Sequence, residues 1–191
     1  YKRQEDNGSY ILTAAHVCKD TKKEIVHAFA DMLEENGLTK RVKKNSKVEY
    51  TIKLTLVDLE LNSFAPIVIN VNHKVDSCLL FIPDVILPTI SPASKPPELG
   101  EIIYTMSSPA GVFGNDLVPA FKGIYNGTKL ESKLLGFLTD VYSLPVTGGS
   151  SGAPILNRNN EFVGVTVAAH DDFKYIAYSP RMRDLYKYLS D

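Results

Sequence analysis

The sequence predicts an all-β protein folded as barrels or a sandwich. Short apolar runs of strand length recur along it, with turn residues between them. From Val48 onward apolar and polar residues alternate. Tyr50, Ile52, Leu54 and Leu56 fall on one side, Glu49, Thr51, Lys53 and Thr55 on the other. That is the period of a half-buried strand. A proline-rich stretch at residues 88–100, with Pro88, Pro92, Pro96 and Pro97, divides two strand-rich halves. At 191 residues the chain fits one domain or two small lobes sharing a core. The expected division is a first lobe over residues 1–90, a linker over 88–99 and a second lobe over 100–191.

In chain order, residues 1–3 and 10–14 read as strand segments around the polar turn Glu5-Asp6-Asn7-Gly8, whose Asn-Gly pair suits a hairpin. Asn7-Gly8-Ser9 and Asn126-Gly127-Thr128 are also glycosylation sequons, though turn chemistry accounts for both. Residues 22–36 read as a helix. Ile25, Val26, Phe29, Met32 and Leu33 recur at helical spacing, and Asn36-Gly37 stops it. Its stripe suits packing on the side of a barrel, with a partner groove as the alternative. The basic run Lys40, Arg41, Lys43, Lys44 and Lys47 reads as a solvated loop, or as a surface for an acidic partner. Further strands are expected at residues 67–71, 77–82, 102–106, 120–124, 135–141, 153–156, 162–167 and 176–178. Ser179 suits an N-cap and Pro180 the first residue of a closing helix over 180–189.

Composition narrows the partners. With 44% hydrophobic and 23% charged residues, the profile is that of a globular protein. A net charge of -1 argues against bulk attraction to nucleic acid or to an anionic membrane. No apolar run approaches the roughly 20 residues that span a bilayer. No cluster of Cys and His has metal-ligand spacing, so neither zinc nor any other cofactor is expected. Two cysteines are too few for a disulfide framework. Cys18 and Cys78 are expected as free, buried thiols, with a single bridge as the alternative in an oxidising compartment. The chain opens at Tyr1 inside a strand-like region, so residues before it are expected.

Chemistry concentrates at Thr147-Gly148-Gly149-Ser150-Ser151-Gly152-Ala153-Pro154. Gly, Ser and Pro are common in hairpin turns. The same residues can hold a serine hydroxyl free while backbone N–H groups converge on one point. That suits a nucleophile beside an oxyanion hole. Serine needs a base, histidine suits that role, and the imidazolium formed needs a carboxylate. His16 follows the run Ile11-Leu12-Thr13-Ala14-Ala15, whose small residues let a ring turn into a cleft. His27, His73 and His170 read as surface or loop positions. Asp76 opens the apolar run Ser77-Cys78-Leu79-Leu80, where an acid needs a partner to offset desolvation. Asp58 is its nearest rival.

These stretches resemble a known family. Thr13-Ala14-Ala15-His16 is similar to the histidine motif of trypsin-like (chymotrypsin-fold) serine proteases. Asp76-Ser77-Cys78-Leu79-Leu80 resembles their Asp-x-Ala-Leu-Leu segment. Gly149-Ser150-Ser151-Gly152-Ala153-Pro154 resembles Gly-x-Ser-Gly-Gly-Pro, with Ala153 in place of one glycine. The order His, Asp, Ser is the family's. Gly100-Glu101-Ile102-Ile103-Tyr104 leading to Ser108-Pro109-Ala110-Gly111, and Ile176-Ala177-Tyr178-Ser179-Pro180, resemble the bacterial HtrA-like branch.

The resemblance implies two six-stranded antiparallel β-barrels, with the helix near 22–36 inserted and a helix at the C-terminus. It implies Ser151 as nucleophile, His16 as base then acid, and Asp76 as orienter. The N–H groups of Gly149 and Ser151 would form the oxyanion hole, and the substrate would be a polypeptide. By the same analogy Pro145 forms the base of the specificity pocket, and Thr166, Val167, Ala168 and Ala169 its wall. With no acid at that base, a small or medium apolar, or aromatic, residue is expected before the cut. Ser150 stands where digestive members keep an acid for a newly cut N-terminus. Activation through an inserted N-terminus is therefore not expected. The competing reading is a catalytically idle trypsin-like domain kept for binding. No PDZ-like stretch follows the closing helix in this sequence.

Overall fold

The short apolar runs at residues 10–14, 67–71 and 77–82 make a small antiparallel sheet. A computed structural model describes residues 7–18, 54–129 and 136–190. Strands β1 (Gly8–Ala14), β4 (Ile67–Asn72) and β5 (Ser77–Pro83) lie in the order β1-β5-β4. Cys78, Leu80 and Ile82 of β5 are buried, and Leu79 and Phe81 between them are half-buried, as period two requires. The register sets Ala14 opposite Ser77. The exit of β1 therefore stands beside the entry of β5, two residues from His16 and one from Asp76. A bulge between Val68 and Asn70 bends β4. Strands β2 (Leu56–Val57) and β3 (Ser63–Phe64) form a separate hairpin.

The second half makes the larger sheet. Its strands are β6 (Ile102–Met106), β7 (Ala120–Lys129), β8 (Thr139–Ser143), β9 (Pro154–Leu156), β10 (Phe162–Val165), β11 (Ala168–Ala169) and β12 (Ala177–Pro180). They run in the order β10-β9-β6-β7-β8-β12-β11. The two end strands are consecutive in the chain, joined only through Thr166 and Val167. The Thr166 N–H donates to Ala153 beside β9, and the Val167 N–H to Tyr178 in β12. The sheet thus closes on itself as a six-stranded barrel, with β10 and β11 as one interrupted strand. Ile103, Tyr142, Leu144, Ile155, Val163 and Ala177 fill it, each fully buried. The Tyr125 and Tyr142 rings lie 5.3 Å apart in that core. The fold is all-β and chymotrypsin-like, as the motifs imply. Among the described residues, however, the first half shows sheets of three and two strands rather than six.

Helix α1 (Met182–Ser190) closes the chain, burying Met182 and Leu185. It starts later than its sequence signals imply. Pro180 ends β12, and the Ser179 hydroxyl does not cap the helix. Its oxygen accepts the Val165 N–H at 3.0 Å and its proton goes to the Pro180 carbonyl at 2.8 Å. The helix N-terminus is met instead by Asp140, whose Oδ2 accepts the Met182 N–H at 3.3 Å. Oδ1 of Asp140 accepts the Thr128 and Tyr125 hydroxyls at 2.7 and 3.1 Å. Burial pushes the Asp140 pKa up, against the pull of those donors and of Arg181.

The proline-rich stretch is not a free tether. Pro92 bridges to Phe162 in parallel, and the Phe162 N–H donates to the Ser91 carbonyl at 2.8 Å. The Tyr186 hydroxyl of α1 lies 3.0 Å from the carbonyls of both Ala93 and Phe162. By contacts the chain divides into Tyr1–Cys18 with Thr55–Asp191, and Lys19–Leu54. The expected helix at 22–36, the basic run at 40–47, residues 48–53 of the alternating run, His27 and the segment 1–6 lie outside the described residues. Among the described residues no helix is long and apolar enough to cross a membrane.

Candidate active site

His16 sits in a 3-10 turn (Ala15–Val17) directly after β1. Ala14 and Ala15 are fully buried, which anchors the turn while the imidazole stays 41% exposed. Asp76 enters β5 with φ 42, a left-handed conformation that aspartate tolerates better than most residues. Three bonds lock the two together. The Ala15 N–H donates to the Asp76 carbonyl at 3.0 Å, and the His16 N–H to Asp76 Oδ1 at 2.9 Å. Asp76 Oδ2 lies 2.8 Å from His16 Nδ1. On the ring's other side Nε2 lies 2.8 Å from the Ser151 hydroxyl.

Burial raises the Asp76 pKa, but the hydrogen bond and charge of His16 with two backbone N–H groups outweigh it, and the net shift is downward from 3.8. An acid whose folded pKa is depressed stabilises the fold above its unfolded pKa. That stabilisation is lost as pH falls through the folded value. The gap in urea midpoint between wild type and Asp76→Asn should therefore be widest near neutrality and shrink below 3.8. A gap unchanged on acidification would rule out this linkage.

Ser151 is held by a braced turn. The Ser150 N–H donates to Thr147 at 3.0 Å and the Ala153 N–H to Ser150 at 3.1 Å. The Gly152 N–H donates to Thr166 at 2.8 Å, and Thr166 returns its own to Ala153 at 2.9 Å. Gly149 and Gly152 have φ of 93 and 87, which side chains rarely adopt. Gly152 also has no room: a β-carbon there would strike the Thr13 hydroxyl. Thr13 of the histidine motif is thus the seat of the serine turn. Among the described residues the N–H groups of Gly149 and Ser151 donate no hydrogen bond.

A family profile, the trypsin-like peptidase domain, matches residues 3–165. The chain belongs to the trypsin-like peptidase family. No curated protein matches it by sequence. Among solved structures, the active form of the Rv3671c protease from M. tuberculosis is similar at TM-score 0.68 and 16% identity, covering 95% of this chain and 68% of that one. The inactive form of that protease is similar at 0.66 and 17%, covering 95% and 78%. The serine endoprotease from Yersinia pestis is similar at 0.63 and 17%, covering 97% of this chain and 53% of its own. These likenesses establish a shared fold.

Among the described residues, the other histidine and aspartate candidates of this trypsin-like peptidase domain form no hydrogen bond with His16, Asp76 or Ser151. Asp58 binds its own turn, accepting the backbone and side-chain N–H groups of Asn62 at 2.8 Å each. His73 lies exposed in the turn between β4 and β5. The His170 Nδ1 accepts the Asp172 N–H at 3.2 Å. Of the residues assigned to the pocket, Thr166 is bonded to the serine turn, and Ala168 and Ala169 pair with Tyr178 and Ala177. Pro145 is half-buried and precedes Val146, whose N–H donates to Lys174 at 2.8 Å. A cavity of about 670 Å³ lies between β1, residues 86–92 and α1, and Gly152 and Pro154 of the serine turn also line it.

The two cysteines overturn the expectation of free thiols. Cys18 and Cys78 are bridged, with Cα atoms 6.5 Å apart. Each lies two residues beyond a member of the site, His16 or Asp76. The β1–β5 register that joins those two joins the sulfurs as well.

Proposed function

We propose that the chain is a serine endopeptidase that cuts peptide bonds through an acyl-enzyme. The line Asp76–His16–Ser151, 2.8 Å at each side-chain step, is the observation that carries it. Ser151 Oγ attacks the carbonyl carbon of the scissile bond while its proton passes to His16 Nε2. Asp76, bonded to Nδ1, holds the ring in the tautomer that leaves Nε2 able to accept. It then stabilises the imidazolium. The carbonyl oxygen becomes an oxyanion and takes the N–H groups of Gly149 and Ser151. The intermediate collapses, the C–N bond breaks, and His16 returns the proton to the departing amine. Water then repeats the sequence on the ester and releases the carboxylic acid.

The same reading divides the chain into a lobe over 1–90 with His16 and Asp76 and a lobe over 100–191 with Ser151. A fluorophosphonate probe should label wild type and leave Ser151→Ala unlabelled. Absence of label on folded wild type would favour the idle trypsin-like domain.

Pro145, Thr166, Val167, Ala168 and Ala169 form the proposed specificity pocket. Val146 and Ala177 are buried in one cluster against which Ala169 packs, which supports apolar surroundings. Cleavage of a peptide library is expected after apolar residues, by about tenfold or more over Arg and Lys. Cleavage mainly after Arg would overturn this assignment.

A further inference from the structure

One contact beside the serine turn bears on how its oxyanion hole is held. Residues Pro109–Gly111 form a 3-10 turn in which Ala110 takes φ 55 and ψ 25. That is the left-handed region, which alanine enters only at a cost. The turn is braced by the Gly111 N–H on the Ser108 carbonyl at 3.0 Å and the Val112 N–H on the Pro109 carbonyl at 3.1 Å. What the strained conformation gains is direction. The Ala110 N–H donates to the Gly148 carbonyl at 2.7 Å.

The Gly148–Gly149 peptide is trans, so its C=O and N–H lie in one plane and point in opposite directions. A carbonyl turned toward Ala110 sends the Gly149 N–H the other way. No side chain stands on either residue to oppose rotation of that peptide, and such a rotation would remove the N–H and present a carbonyl in its place. The two turns meet backbone to backbone. A β-carbon on Gly149 would strike the Ser108 carbonyl and come within 3.2 Å of the Gly111 nitrogen. Ser150 adds a local brace, its buried Oγ accepting the Thr147 N–H at 3.3 Å, but it does not touch the Gly148 carbonyl.

We propose that Ala110 is a positioning residue: its N–H latches the Gly148–Gly149 peptide so that the Gly149 N–H faces the oxyanion. The proposal rests on the serine-peptidase reading above. Ala110→Gly keeps the N–H and relieves the strained backbone, so it should turn over as wild type does. Ala110→Pro has no N–H and cannot take φ 55. A gentler variant places lactate at position 110, exchanging the N–H for an ester oxygen and keeping the methyl group.

Both latch-free variants should lose about 100- to 1,000-fold in kcat on a tetra-alanine anilide, counted per site titrated by a fluorophosphonate, with KM within about threefold. Their affinity for an alanine boronic acid, whose oxygen occupies the hole, should fall in the same proportion. A merely structural role would lower the titrated fraction and spare kcat per site. If Ala110→Pro does not fold, the lactate variant decides. Wild-type turnover per site in the lactate variant overturns the latch alone. Failure of wild type to react with the probe overturns the peptidase reading beneath it.

Discussion

Replacing His16 with alanine is expected to lower kcat by about a millionfold and to leave KM within about threefold. The serine hydroxyl lies 2.8 Å from the imidazole Nε2, its proposed base. Without it the Ser151 proton has no acceptor of suitable pKa, and the leaving amine has no donor. The fold should survive, because the imidazole is 41% exposed and the His16 N–H still reaches Asp76 Oδ1. Adding Ser151→Ala should cost almost nothing more, since the residues act as one unit. The check is turnover of single and double variants beside their melting curves. A His16→Ala enzyme retaining a tenth of its rate would remove the triad mechanism.

Opening the Cys18–Cys78 bridge is expected to destabilise the protein by about 4 kcal/mol. The bridge closes a separation of 60 residues, and in the chain-entropy account a loop of that size costs the unfolded state about this much freedom. For a chain of this length that corresponds to a fall in Tm of roughly 10 °C. Turnover should fall at temperatures well below the new Tm, because the bridge ties the ends of the two segments that carry His16 and Asp76. The measurement is a melt and a rate with dithiothreitol, repeated on Cys18→Ser with Cys78→Ser. An unchanged Tm with both thiols alkylated in the reduced protein would contradict it.

The three side chains brought to one line were legible because each lies in a short motif that resembles the family's. Local chemistry alone, with small residues before His16, Asp76 heading a buried run and glycines on both sides of Ser150 and Ser151, left a hairpin turn and Asp58 open as alternatives. The bridge was not legible in this way. Sixty residues of separation say nothing about Cβ vectors, which are set by the β1–β5 register together with the 3-10 turn that carries Cys18. Ser179 followed by proline reads as a helix start from local propensity, but a tertiary partner, the Val165 N–H, claims its hydroxyl. Asp140 carries no signal of its own. Its role appears only once β7, β8 and α1 converge on it. Ala110 likewise looks like any residue of a Ser-Pro-Ala-Gly turn until its φ is known.

Barrel closure through Thr166 and Val167 has a mechanical consequence. One link of backbone serves two masters: Thr166 holds the serine turn at Gly152 and Ala153, and its neighbour begins the segment assigned to grip the substrate. On the proposed assignment of pocket and nucleophile, choosing a side chain and attacking its carbonyl are then not separable by engineering at this point. Rewriting residues 167–169 to accept a bulkier cargo is expected to drag Ser151 off its proposed aim, so altered taste would come with a slower bite.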